Sequence, residues 1–170
     1  MAGLMDNLTT LLAEECQCYE QLVEVSTQKT QTIVKGDIEA LQKITVAEQT
    51  LTDRVQNLEK KRLETVKDIG IVIGKEDENL TITRIIELMS GQPQVQGTLS
   101  ELKLRLIKAL NEMKAVNDKN TVLLKQAMEM VEFDLTLLKG LKQAPETANY
   151  NKNAYNTGTL LGGSGFDFKQ

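Results

Sequence analysis

The stretch "TIVKGDIEALQ" (32–42) decides the fold. On either side of it, apolar residues recur every three or four positions, the spacing of one helix face. At its centre Lys35-Gly36-Asp37 breaks the pattern. Glycine takes the left-handed conformation that ends a helix without a Cβ penalty. Aspartate accepts a hydrogen bond from the free backbone N–H groups that open the next one. So short a joint makes the two flanking helices antiparallel neighbours.

The segment before the joint, about 4–35, carries a seam of Leu8, Leu11, Glu15, Cys18, Leu22, Val25, Lys29 and Ile33. The segment after it, about 38–70, carries Leu41, Ile44, Glu48, Leu51, Val55, Leu58, Arg62, Val66 and Ile69. Each is roughly 45 Å long at 1.5 Å per residue, and matched arms of this length form a helical hairpin. Glu48 and Arg62 interrupt the second seam. Either water or a charge across the seam would accommodate them.

"DIGIVIGKEDENLTITRIIELMSGQPQ" (68–94) changes the regime. "IVI" is too short for a strand and reads as a helix end or a buried connector. Thr81 is suited to cap a short helix at about 81–90, whose Ile82, Ile85, Ile86 and Met89 share one face. Gly91 ends it and Pro93 seals the stop. Too short to stand alone, this helix caps the open end of the hairpin. A third long helix follows over about 98–143, and Pro145 stops it. The expectation is an all-α chain. Residues 1–145 form a single elongated, coiled-coil-like helical bundle, and 146–170 form a flexible tail.

Composition removes most other functions. The 170 residues carry 20 Lys and Arg against 24 Asp and Glu, a net charge of −4, so no basic face invites nucleic acid. Aromatics are 4%, with no Trp to stack bases. The absence of His removes the commonest general base and metal ligand. Cys16 and Cys18 point roughly 200° apart on a helix; they cannot bridge each other, and two thiols fall short of the four ligands a zinc site needs. No apolar run reaches a membrane span, and the acidic start is unlike a signal peptide, so the cytoplasm is expected. "GIVIGKE" (70–76) lacks the spacing and the hydroxyl of a phosphate loop. "GGSG" (162–165) follows no strand. Asn7-Leu8-Thr9 and Asn79-Leu80-Thr81 match a glycosylation pattern that matters only on secretion. The residues offer no catalytic, cofactor or metal site.

One feature is left over. On a helical wheel of 122–141, Leu124, Ala127, Val131, Leu135, Leu138 and Leu141 fill one stripe, and Leu123, Met130, Phe133 and Leu137 fill an adjacent one, joined by Val122. The apolar arc spans roughly 240°, against about 100° for a helix with one buried side. Lys125, Glu129, Glu132, Thr136 and Lys139 make a narrow polar edge. This helix could pack in a groove of the hairpin, self-associate, meet the tail, or hold a client. Met128 and Met130, flexible fillers, suit a surface that re-packs around more than one partner.

Four features occur in order. They are a helix break at "KGDIEAL" followed by "AEQTL", the "NLTITRIIELM" element, the long third helix, and the tail "YNTGTLLGGSGFDF". With them the chain resembles the FlgN-type flagellar export chaperones. The resemblance implies a non-enzymatic cytoplasmic chaperone. Such proteins bind the C-terminal helical regions of the hook–filament junction proteins, prevent premature assembly and deliver them to the flagellar type III export apparatus. It places client binding at the end of the third helix, here Leu123, Leu124, Ala127, Met130, Val131, Phe133, Leu137, Leu138 and Leu141. The tail, whose "LLGGSG" departs from the family pattern, either shields this face through Tyr150, Tyr155, Leu160, Leu161, Phe166 and Phe168 or joins the grip. The alternatives are a coiled-coil oligomerisation or scaffold protein, and a chaperone for another secreted helical protein.

Overall fold

The computed structural model of the chain describes residues 1–76 and 79–143. The expected tail, with both of its suggested roles, lies outside the described residues. Helix α1 spans Ala2–Lys35, α2 Ile38–Val72, α3 Ile82–Leu88 and α4 Pro93–Gln143, with a 3-10 turn at Met89–Gly91. The fold is all-α, as expected, and no strand occurs among the described residues. Two compact units divide the chain: Met1–Met128, and a second that begins at Glu129.

The joint between α1 and α2 works by backbone capping. Gly36 is left-handed, at φ 69° and ψ 24°. Its N–H donates to the Ile33 carbonyl, and the Asp37 N–H donates to the Thr32 carbonyl. These two bonds satisfy the last free carbonyls of α1 in a Schellman turn. Asp37 then caps α2, its Oδ1 accepting from the Ala40 N–H at 3.0 Å. Two adjacent residues thus end one helix and start the next.

The far end of α2 repeats the device. Gly74 is left-handed at φ 69°, and the Lys75 N–H donates to the Gly70 carbonyl at 2.8 Å. "IVI" is therefore a helix end: Ile71 and Val72 close α2 and Ile73 caps it. The chain then crosses back over Gly70, where an added Cβ would lie 3.1 Å from the Leu80 side chain. Thr81 caps α3, accepting from the Arg84 N–H.

Pro93 does not seal a stop. It is the first residue of α4, which begins five residues earlier than the expected 98. At that position a proline loses nothing, because the first N–H of a helix has no partner in the helix and the ring presets φ. Gln96 ties the two helices, its side-chain amide donating to the Ile86 carbonyl.

The core of the first unit lies where four elements meet. Leu8, Leu12 and Cys16 of α1, Val66 and Ile69 of α2, Ile85 of α3, Met89, and Leu99 and Leu102 of α4 form one buried cluster. Each fully buried aliphatic side chain contributes about 1.5–3 kcal/mol. A second cluster, Leu11, Cys18, Leu22, Val55 and Leu58, continues along the hairpin.

Charge occupies the gaps in the seam, and it comes from both arms. Glu15, only 2% exposed, accepts from the Arg62 Nε at 2.9 Å and 3.0 Å. Lys29 donates to Glu48 at 2.7 Å, and the Ser26 hydroxyl donates to the other Glu48 oxygen at 2.7 Å. The two ion pairs lie two heptads apart on both helices, with the acid on α1 in one and on α2 in the other. A slip of one arm along the other would bury unpaired charge, which costs several kcal/mol, so this arrangement fixes the antiparallel register.

Candidate partner-binding face

Helix α4 docks on the hairpin through its first part. Leu99 and Leu102 enter the main cluster, and Ala109 is buried further on. The Leu102 carbonyl accepts from the Cys16 thiol at 3.4 Å. Arg105 makes a bidentate pair with Glu20 of α1. Asn120 is the last buried residue of α4. Its amide donates to the Ser26 carbonyl at 2.8 Å, and its oxygen accepts from the Thr30 hydroxyl at 2.5 Å. That contact joins α4 to the Ser26–Glu48–Lys29 layer of the hairpin.

Beyond Asn120 no described residue of α4 is buried. In the first unit, Leu123 and Leu124 are half-buried, whereas Val122, Ala127 and Met128 are exposed. In the second unit, Met130 (69%), Val131, Phe133 (63%), Leu137, Leu138 and Leu141 (73%) are all exposed, as is Leu135. Of the nine residues expected to bind a client, two are half-covered and seven are open. Val122, Met128 and Leu135 belong to the same exposed set although the expected site omitted them. Their place on the helical wheel was sufficient to include them.

None of the nine residues expected to bind a client carries a titratable group, and the two thiols lie away from them in the interior. Cys16 and Cys18 are buried free thiols, and burial pushes both above the ordinary thiol range. Such thiols are poor nucleophiles and poor metal ligands. Burial also raises the Glu15 carboxyl, with Arg62 partly offsetting it. The groove formed by α1 and α4 is lined by Thr10, Glu14, Gln17, Glu20 and Arg105, and there Glu20 is occupied by Arg105. Among the described residues no three His, Cys, Asp or Glu side chains gather as a metal site, and no helix is long and apolar enough to cross a membrane.

Among the described residues, the arrangement is a helical bundle whose last described helix carries a broad, largely exposed apolar face. The chain is 26% identical over 136 residues to an uncharacterised protein, YvyG, of Bacillus subtilis (strain 168), an alignment covering 80% of this chain and 78% of that protein. No solved structure matches the chain. Residues 1–158 match the family described as FlgN protein. With nearly its whole length matched, and with the bundle in place, the chain belongs to the FlgN family of flagellar export chaperones.

Proposed function

We propose that this protein is a cytoplasmic chaperone of the flagellar hook–filament junction proteins. It binds the C-terminal helical regions of these clients and delivers them to the flagellar type III export apparatus. The observation that carries the reading is the exposure of Met130, Val131, Phe133, Leu137, Leu138 and Leu141 on one helix. A monomeric protein rarely leaves so continuous an apolar surface in water, and such surfaces mark binding sites. Clients that polymerise through amphipathic helices present an apolar stripe, and an exposed apolar helix can cover it in place of another subunit. Non-catalytic action follows from the same picture, since holding a client needs area and not reacting groups.

The binding is reversible by construction. A client segment that orders only on binding loses conformational entropy as it does so, which lowers its net affinity. Export can then strip the client without an energy source in the chaperone. The test is titration calorimetry of the full chain with the C-terminal segments of the junction proteins from the same bacterium. Wild type should bind one to one, and Met130→Ser/Phe133→Ser/Leu137→Ser should lose measurable binding with its helicity intact. Binding unchanged in that variant would place the client elsewhere. Sedimentation of the free protein separates the scaffold alternative, which requires a tight dimer through the same residues.

A further inference from the structure

Asp134 stands in the middle of the exposed apolar face. Its neighbours one turn away along the helix are Met130 and Val131 on one side and Leu137 and Leu138 on the other. All four are exposed, and so is Asp134. The carboxylate makes no ion pair among the described residues. The nearest lysine in sequence, Lys139, lies roughly 140° around the helix. A helix that covers the middle of this face therefore covers a carboxylate as well.

The first unit contains the same problem twice, with its answer. Glu15 and Glu48 interrupt the apolar seam of the hairpin, and each is met by a cation from the facing helix, Arg62 and Lys29. Covering a carboxylate with a purely apolar stripe would strip its water without replacement. Covering it with a second acid would add repulsion.

We propose that Asp134 is a specificity-determining residue: it selects client helices that carry a Lys or Arg within their apolar stripe. This rests on the client-binding reading of the face and adds the chemistry of the partner to it. An apolar helix of the wrong kind would still find area on Met130, Leu137 and Leu138, but would have to bury Asp134 unpaired. The discrimination is thus negative as well as positive. Asp134 contributes no apolar contact of its own, and its role is to reject stripes that lack the cation.

Two substitutions separate this role from simple stickiness. Asp134→Leu enlarges the apolar face. If the client brings only apolar groups, affinity rises; if it brings a cation, that cation is left unpaired and affinity falls, by about 10- to 100-fold. Asp134→Lys should fall further, and reversing the client's cation to Glu should recover binding to the Asp134→Lys protein. The experiment is calorimetric titration of full-length wild type, Asp134→Leu, Asp134→Lys and Met130→Ser/Phe133→Ser/Leu137→Ser with the junction-protein C-terminal segments, with circular dichroism to verify helicity. Weaker binding by Asp134→Leu, with rescue by charge reversal, supports the proposal. Equal or tighter binding by Asp134→Leu overturns it and leaves the face itself standing. Wild type that fails to bind, or a triple variant that binds normally, overturns the client-binding reading instead. A wild-type dimer in sedimentation that Asp134→Lys dissociates would show that the cation comes from a second copy of the chain, and would also overturn the proposal.

Discussion

Helix α4 holds two apolar stretches with different fates. Up to Asn120 it buries Leu99, Leu102 and Ala109 against the hairpin. From Val122 onward it carries Met128, Met130, Val131, Phe133, Leu135, Leu137, Leu138 and Leu141, every one of them exposed. Hydrophobicity alone does not separate them. The first stretch turns one side to the hairpin, with Leu104, Ile107 and Leu110 exposed away from it. The second spreads its apolar residues over more than half the helix circumference. A stripe has one neighbour; an arc that wide calls for more surface than one neighbour supplies. The first arrangement serves stability, and we propose that the second serves recognition.

Substitution should break the comparison most sharply at Leu99 and Phe133. Leu99, 0% exposed, sits in the main cluster, and Leu99→Ala should cost about 2–5 kcal/mol of unfolding free energy through the lost contacts and the cavity. Phe133→Ala removes a larger side chain and should change stability by less than about 0.5 kcal/mol. Urea denaturation of the two variants reads the difference directly. If Phe133→Ala destabilises as much as Leu99→Ala, the exposed stretch is part of the fold.

Polar seam positions come next. Arg62→Met leaves the Glu15 carboxylate buried without a cation, and about 3 kcal/mol of stability should be lost. Adding Glu15→Leu to the same chain should recover most of it, because an apolar pair of similar volume replaces a desolvated ion pair. The wild-type pair has a pH signature as well. Burial holds the folded Glu15 carboxyl above its ordinary value, so in the interval just above the ordinary glutamate range the native state binds more protons than the unfolded one. The contribution is fully present below the unfolded value and is lost as pH rises through the folded value. Relative to Glu15→Gln, wild type should therefore lose stability as pH rises across that interval, as followed by urea titrations at a series of pH values.

Asn120 marks the boundary between the two stretches, and the effect expected there is smaller. Asn120→Ala removes the bonds to the Ser26 carbonyl and the Thr30 hydroxyl and should cost about 1–2 kcal/mol. Amide hydrogen exchange should show the loss of protection concentrated around Asn120, with the Leu99 region retained. Uniform loss along α4 would mean that the boundary lies elsewhere.

Much of this was legible in the residues. Gly36-Asp37 announced the hairpin because each residue has one strong capping role. The register was half legible: Glu48 and Arg62 stood out as gaps and Glu15 and Lys29 stood in the first seam, but a seam written one helix at a time does not show which charges face each other. Pro93 was misread because proline both ends helices and begins them, and only the chain that follows decides which. The apolar arc of α4 was plain on the wheel. That Leu123 and Leu124 are half-covered and Met130 is open was not, since periodicity says which side is apolar but not where the neighbouring helices stop. Asp134 drew no attention because an isolated acid on a long helix is ordinary; the role proposed for it rests on the cations that meet Glu15 and Glu48.

The central claim is that the exposed end of α4 holds clients and does nothing for the fold. Its most direct test is one comparison in one instrument: titration of wild type and Met130→Ser/Phe133→Ser/Leu137→Ser with a junction-protein C-terminal segment, each protein also melted alone. The account predicts one-to-one binding by wild type, at least about 100-fold weaker binding by the variant, and melting temperatures that coincide. A variant that binds like wild type, or one that melts early and loses binding only because it unfolds, would contradict it.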